Sequence, residues 1–402
     1  MKKKTILSLV STAIVMSLLA GCAGGGANNA GSSSNSSGGA DAAKEVKVGI
    51  NYELSGDVAS YGQASVDGIM LAFEEINAAG GIDGKKIVPV QMDNKSDPAE
   101  ATSVATRLMT QEKVVAQLGP ATSGDFMATI PVAMGNKVPI ISASATADEG
   151  VTVNKNGDVN EYVFRLCFND SFQGVTMANF AYGNLEAKKA VIIKDNSSDY
   201  GKGLAENFRK TFEVLGGEIV DELGYVGKDK DFNAILTSIK GKEFDVIFIP
   251  GYYQEAGLII KQARDLGIDA PVLGADGFDS PVLQELAGAE ALNDVYYSNH
   301  YSSLDEDPLV KEFIDAYKAK YNVEPNAFNA LGYDLGKYIA DAIDRADSND
   351  TEAIKNALAG TKGFVGVTGT FDMGEDHNPI KSAVVIGLEN GVQATSVKVD
   401  PK

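Results

Sequence analysis

The chain has 402 residues, of which 44 % are hydrophobic and 22 % charged, and a net charge of -20 at pH 7. That length accommodates two domains of ordinary size, and the composition beyond the N-terminal leader is that of a soluble globular protein. A surface this acidic repels phosphate backbones and anionic headgroups, which argues against nucleic acid as a partner.

The leader begins with Lys2, Lys3 and Lys4, continues as an apolar run from Ile6 to Ala20, and ends in Leu19-Ala20-Gly21-Cys22. A membrane-spanning helix needs about 20 apolar residues, so this shorter run reads as a signal peptide over residues 1–21. Its ending resembles the bacterial lipobox, whose cysteine is acylated and becomes the first residue of the mature protein. Cys22 is thus the expected lipidation site, with ordinary cleavage beside an incidental cysteine as the alternative. Residues 22–44, rich in Gly, Ala, Ser and Asn, have almost nothing to bury and read as a lipid-anchored flexible linker. Cys167 is the second cysteine, so lipidation of Cys22 leaves no intramolecular disulfide, and Cys167 reads as a small buried apolar residue.

From Val46 onward, short β-branched runs alternate with longer helical stretches. Val46 to Ile50, Ile87 to Met92, Val114 to Leu118, Val138 to Ile141 and Tyr162 to Leu166 read as strands. Between the first two, Val66, Ile69, Met70, Phe73 and Ile76 recur at helical spacing until Gly80-Gly81. Pro98 marks the first turn of the next helix. A second series places strands at Val191 to Lys194, Glu218 to Leu223, Asp245 to Pro250, Pro271 to Gly274 and Val295 to Ser298. Its helices run over Gln173 to Asn184, Gly201 to Leu215, Phe232 to Ile239 and Gln254 to Leu266. Two such series predict an α/β protein of two doubly wound lobes with parallel sheets.

The tail breaks the alternation. Pro308 to Tyr321, Ala327 to Arg345 and Thr351 to Ala359 read as helices, then Gly366 to Phe371 and Ser382 to Leu388 as strands. A chain that returns to the first lobe and crosses again to the second makes a multi-crossing hinge beside a cleft. The expected partition is 45–167 and 299–364 for the N-terminal lobe, 168–298 and 365–402 for the C-terminal lobe.

Ligands of open α/β sheets bind beyond the carboxyl ends of strands, where helix N-termini converge. The loops at those places are Glu53 to Asp57, Gly119 to Gly124, Ser142 to Thr146, Asp195 to Tyr200 and Gly274 to Gly277. All are rich in Gly, Ser, Thr and Asp, which allow backbone to approach a small polar ligand. Taken singly, Thr122 or Ser123 could cap the helix near Asp125, Thr146 could cap a turn, and Asp276 could be a turn residue. No nucleophile elbow, zinc-protease motif, phosphate loop or complete dinucleotide fingerprint occurs. Tyr200-Gly201-Lys202-Gly203 lacks the third glycine of that fingerprint. His300 and His377, far apart in sequence, offer thin support for a catalytic dyad or a metal site. The expectation is a binding protein without cofactor or metal, not an enzyme.

At these residues the sequence resembles the type I periplasmic-binding-protein fold, and within it the branched-chain amino-acid (Leu/Ile/Val) binding proteins of ABC transporters. The resemblance spans Leu54-Ser55-Gly56, Tyr61-Gly62, Ile76 to Ile82, Asp93 to Pro98, Gly119 to Ser123, Ser142 to Thr146, Tyr200 to Gly203, Gly251-Tyr252-Tyr253, Gln262-Ala263-Arg264 and Gly274 to Gly277. It implies that Thr122, Ser123, Ser144 (through its backbone), Ala145 and Thr146 surround a ligand carboxylate. It also implies that Asp276 meets the ammonium and that Tyr61, Tyr200 and Tyr252 line the cleft. The family's cysteine pair is replaced by Ser96 and Thr122, its common glutamate by Asp276, and no tryptophan is present.

The expected function is a monomeric extracytoplasmic receptor, lipid-anchored to the cell membrane. It would deliver an amino acid, branched-chain or similarly apolar, to an ABC permease with its cytoplasmic ATPase. A receptor for an amide, urea or aromatic carboxylate, and a ligand-sensing ectodomain without transport, are the alternatives.

Overall fold

The computed structural model describes residues 45–400, so the expected signal peptide, Cys22 and the linker lie outside the described residues. Among the described residues no helix is long and apolar enough to cross a membrane.

The first sheet contains β1 (Glu45–Tyr52), β2 (Lys86–Asp93), β3 (Ala116–Leu118), β4 (Ile140–Ser142) and β5 (Val163–Arg165). All neighbours pair in parallel, in the order β2-β1-β3-β4-β5. Val46, Val48, Ile50 and Tyr52 on β1 are fully buried, as expected for a strand inside a parallel sheet. The connecting helices are α1 (Ala59–Ala78), α2 (Pro98–Arg107) and α3 (Ser123–Asn136). Helix α2 starts where the sequence places it: Pro98 occupies the first turn and the Asp97 carboxylate accepts the Ala99 and Glu100 N–H groups.

The second sheet takes β6 (Lys189–Asp195), β7 (Glu218–Tyr225), β8 (Val246–Phe248), β9 (Val272–Gly274) and β10 (Val295–Asn299). Its helices are α4 (Asp170–Asn179), α5 (Asp199–Val214), α6 (Asn233–Ile239), α7 (Tyr253–Asp265) and α8 (Pro281–Ala287). Helix α4 passes into a π turn over Phe180–Asn184, which carries it to the predicted end.

The late helices are α9 (Pro308–Tyr321), α10 (Ala327–Ala346) and α11 (Thr351–Ala359). Helix α10 lies directly on α1. A Cβ on Gly68 would sit 2.0 Å from the Asn329 carbonyl oxygen and one on Gly332 2.0 Å from that of Ser65, so only glycine admits this backbone contact.

Where one strand was expected over Gly366 to Phe371, a short hairpin forms from β11 (Phe364–Gly366) and β12 (Gly369–Phe371). The buried Asp334 carboxylate on α10 bends the chain there, accepting the N–H groups of Val367 and Thr368 at 2.7 Å each and the Thr368 hydroxyl at 2.6 Å. The chain then joins the second sheet as β13 (Ala383–Glu389) and β14 (Val392–Val399), both antiparallel, giving the order β14-β13-β10-β9-β8-β6-β7. Strand β14 is mostly exposed, so it has no alternating apolar signature by which the sequence could disclose it.

The chain passes between the two sheets after β5, after β10 and before β13. Buried cations tie these passages together. Arg165 donates to the Ala145 and Ala147 carbonyls at 3.1 and 2.8 Å and to Asn378 Oδ1. Lys381 donates to the Leu166 carbonyl at 3.3 Å.

Candidate functional site

The strand-end loops of the two lobes converge on a small cavity lined by Tyr61, Ala121, Thr122, Ser123, Ser144, Tyr200, Tyr252, Asp276, Gly277 and Phe328. Of the residues expected at the site, Ala145 and Thr146 do not line it. The free room at its centre is about 10 Å³, space for about one water molecule.

The first-lobe wall is a set of donors. Helix α3 begins at Ser123, so its leading N–H groups lack intrahelical acceptors and the positive end of its dipole points at the cavity. Thr122 and Ser123 sit at that start, yet the Thr122 side chain makes no capping bond. Its hydroxyl donates to Glu53 Oε1 at 3.2 Å. Ser123 Oγ accepts the Ala147 N–H at 3.1 Å.

The loop after β4 folds around Ser142. Its Oγ accepts the N–H groups of Ser144 and Ala145 at 3.2 and 2.9 Å, while Ser144 Oγ donates to the Ala121 carbonyl at 2.9 Å. Ala145 and Thr146 therefore support the loop from behind. Thr146 is wholly buried beside the Asp170 carboxyl, which burial and then the Asp148 charge push well above the ordinary carboxylate range, and neither Thr146 Oγ1 nor Asp170 Oδ2 completes a hydrogen bond of normal geometry.

The second-lobe wall presents Asp276, only 3 % exposed. Its Oδ1 accepts from Gln173 Nε2 at 3.1 Å and the Tyr200 hydroxyl at 2.7 Å, and its Oδ2 lies 3.3 Å from His300 Nε2. Burial pushes His300 below its ordinary range, and it pushes Tyr200 far above its own, so both partners are neutral near pH 7. Among the described residues, Asp276 is thereby held by dipoles without a compensating cation.

Aromatic rings close the remaining sides. Tyr61 stacks on Phe328 with centroids 4.3 Å apart, and Tyr200 stacks on Tyr252 at 5.1 Å. The Tyr61 hydroxyl crosses between the lobes, donating to the Gly277 carbonyl and accepting the Tyr253 N–H at 3.3 Å. Gly277 must be small here: a Cβ would lie 2.9 Å from both the Gly251 carbonyl oxygen and the Tyr200 hydroxyl.

The sequence disclosed the small polar loop residues by their position at strand ends. It placed Glu53 in one of those loops without a role, and it did not disclose Gln173, His300 or Phe328 as parts of the site. Gln173 orients Asp276 from α4, also accepting the Asp276 N–H at 3.1 Å and the Ser298 hydroxyl at 2.8 Å. Phe328 follows the Asn326 capping box of α10, a local signal that marks a helix start but not the cavity it faces.

The sequence pattern of the periplasmic binding protein family matches residues 45–392. The Leu/Ile/Val-binding protein BraC3 of Rhizobium johnstonii is 32 % identical over 336 residues, covering 83 % of this chain and 89 % of its own. Among solved structures, the branched-chain amino acid transporter substrate binding protein LivJ from Streptococcus pneumoniae, in complex with isoleucine, shares 46 % identity at a TM-score of 0.84, over 89 % of this chain and 100 % of that one. The leucine binding protein LivK from Thermotoga maritima shares 36 % identity at a TM-score of 0.82, over 89 % and 99 %. With this two-lobed architecture, the chain belongs to the periplasmic binding protein family, in the branch of the Leu/Ile/Val-binding proteins that its motifs resemble.

Proposed function

We infer that the protein is an extracytoplasmic receptor that captures an amino acid between its lobes and hands it to the permease of an ABC importer. The observation that carries this reading is Asp276, buried on one wall without a cation, facing hydroxyls and a helix N-terminus on the other. A zwitterion satisfies both walls: its ammonium supplies the missing positive charge, and its carboxylate meets Ser123 and the leading N–H groups of α3. An amide, urea or aromatic carboxylate brings no such cation. The relatives' ligands, isoleucine and leucine, and the aromatic walls favour a branched-chain or similarly apolar side chain.

The cavity's present size requires the lobes to part for entry, and contacts such as Tyr61 to Gly277 then favour the shut form once both charges are bound. No residue of the site is arranged to turn a ligand over, so we read the protein as a carrier and not as an enzyme. The working form is a monomer held to the membrane through lipidated Cys22.

Thermal unfolding of the mature protein against amino acids, their amides and small carboxylates tests this reading. A true ligand at a thousand times its Kd raises stability by about 4 kcal/mol. A rise with amides and none with amino acids would refute it. Phe328→Ala should narrow the preference for leucine over alanine by about 1 to 3 kcal/mol, read by calorimetry, because Phe328 would pack only against the larger side chain. Cys22→Ser should move the protein from the membrane to the soluble fraction, and retention with membranes would refute the anchor.

A further inference from the structure

We propose that a second binding site, for an organic ammonium, lies in the groove lined by Asp279 and the Tyr297, Tyr301 and Tyr317 rings, and that its occupation favours the shut form. The groove runs between the lobes beside the amino-acid cavity, with about 1080 Å³ of free room, enough for a small organic molecule. Ser60 and Asp67 on α1 and Asn326 at the start of α10 line it from the first lobe, and Asp279 and Ser280, between β9 and α8, from the second. Among the described residues, no lysine, arginine or histidine lines it. Nor do the described residues group three His, Cys, Asp or Glu side chains that could hold a metal ion, so the fitting cation is an organic one.

Two features mark the groove as built for such a group. The first is Asp279: Asn299 Nδ2 and the Ala327 N–H, at 2.8 Å each, both donate to its Oδ2, and Oδ1 keeps its lone pairs for another donor. The charge that acts on it is a further carboxylate, Asp276, while Lys318 and Lys320 nearby are engaged by Glu324 and Glu74. The second is Tyr301, which is 5 % exposed and whose hydroxyl finds no hydrogen-bond partner among the described residues. A buried phenol in that state is rare and calls for a partner. The charges acting on this hydroxyl include Asp279 and Glu324, both of which line the groove, so it points to that space. Tyrosine faces and phenol oxygens around one anion suit an ammonium on an apolar body.

Closure assembles the site. Asp279 meets the start of α10 through the Ala327 N–H, Ser60 Oγ lies 2.8 Å from Ser280 Oγ, and Gly277, two residues before Asp279, accepts the Tyr61 hydroxyl of the amino-acid cavity. A cation held there adds to the stability of the shut form, and linkage makes amino-acid affinity rise with it. This coupling, though not the site, rests on the receptor reading above.

Calorimetry with phenethylamine and with choline at pH 7, on the mature protein saturated with L-isoleucine, reads the site. At least one of the two cations should bind, and 2-phenylethanol and phenylacetate, which lack the positive charge, should bind about tenfold more weakly or not at all. Asp279→Asn, which keeps an acceptor for Asn299 and Ala327, should weaken the cation about tenfold. Tyr301→Phe, which removes only a hydroxyl without a partner, should weaken it about fivefold, and it decides the matter if Asp279→Asn does not fold. The bound cation should tighten L-isoleucine about fivefold. No binding by either cation, or equal binding to wild type and Asp279→Asn, overturns the site. Binding to the free protein that L-isoleucine displaces and Asp276→Ala abolishes places the cation in the amino-acid cavity and overturns it too. Unchanged L-isoleucine affinity with the cation bound overturns the coupling alone. If L-isoleucine itself fails to bind, the receptor reading falls, and the same titrations on the free protein decide on the site.

Discussion

Asp276→Ala is expected to weaken amino-acid binding by about 2 to 5 kcal/mol, roughly thirtyfold to several thousandfold, when measured by calorimetry at pH 7. The size follows from what the ammonium loses. On entering a site whose free room is about one water, it surrenders its hydration. The neutral groups around Asp276, the Tyr200 hydroxyl, the Gln173 amide and the His300 ring, are all oriented on the carboxylate and not on the ligand. Removing Asp276 leaves a cation among groups whose acceptor has gone.

Truncation also orphans the Tyr200 and His300 donors and leaves Gln173 Nε2 only its 3.4 Å bond to Asp170 Oδ1, so part of the loss comes from a loosened lobe. Asp276→Asn separates the two causes. It keeps an acceptor for Tyr200 and deletes only the charge, so it should retain the wild-type unfolding midpoint and still lose most of the affinity. Wild-type affinity in the Asn variant would show that the ammonium is held elsewhere. Tyr200→Phe should have a smaller effect of about 1 kcal/mol, since Gln173 and His300 still hold the carboxylate.

What the sequence discloses and what it hides divide along a physical line. Strands β1 and β2 and helices α1 and α9 show their periodicity locally, because each buries one face or both against a continuous core. The loops after β3, β4 and β9 show themselves through small polar residues, since their task is to bring backbone close to a ligand. The part played by Glu53 within its loop, and the places of His300, Arg165 and Lys381, carry no such mark. Each of these residues lies at a strand end or a lobe crossing, and its partner is Thr122, Asp276, Asn378 or Thr368, tens to hundreds of positions away along the chain. A buried charge is recognised only by what surrounds it, and that is a tertiary property. The hairpin at β11 and β12 fails to show for the same reason: its turn is fixed by Asp334, more than thirty residues earlier.

That turn leads to the second large expectation, an asymmetry between the two charges buried at the hinge. Lys381 is 2 % exposed, donates to Thr368 Oγ1 at 2.6 Å, and through that hydroxyl reaches Asp334, itself 2 % exposed. Burial pushes Lys381 down to about 8 and Asp334 up from its ordinary range, so desolvation outweighs the attraction on both sides. A fall from 10.5 to about 8 corresponds to a cost on the order of 3 kcal/mol for keeping the lysine charged at neutral pH. The sign follows from linkage: between about pH 8 and 10.5 the unfolded chain holds a proton that the folded one has released, so this group's contribution to stability rises with pH across that window.

Asp334→Ala strips Lys381 of its counter-charge and strands two buried N–H groups, and should destabilise the fold by about 3 to 5 kcal/mol in urea unfolding at pH 7. Lys381→Met removes the costly charge at similar volume and leaves Asp334 with its three donors, so the loss should stay below about 1.5 kcal/mol. Equal losses from the two variants would mean that the lysine, and not the bend built on Asp334, holds the hinge. If the asymmetry is found, the lysine's remaining task is its bond to the Leu166 carbonyl, which ties the first passage between the lobes to the third. Lys381→Met should then alter the rate at which the lobes open more than the stability of either lobe.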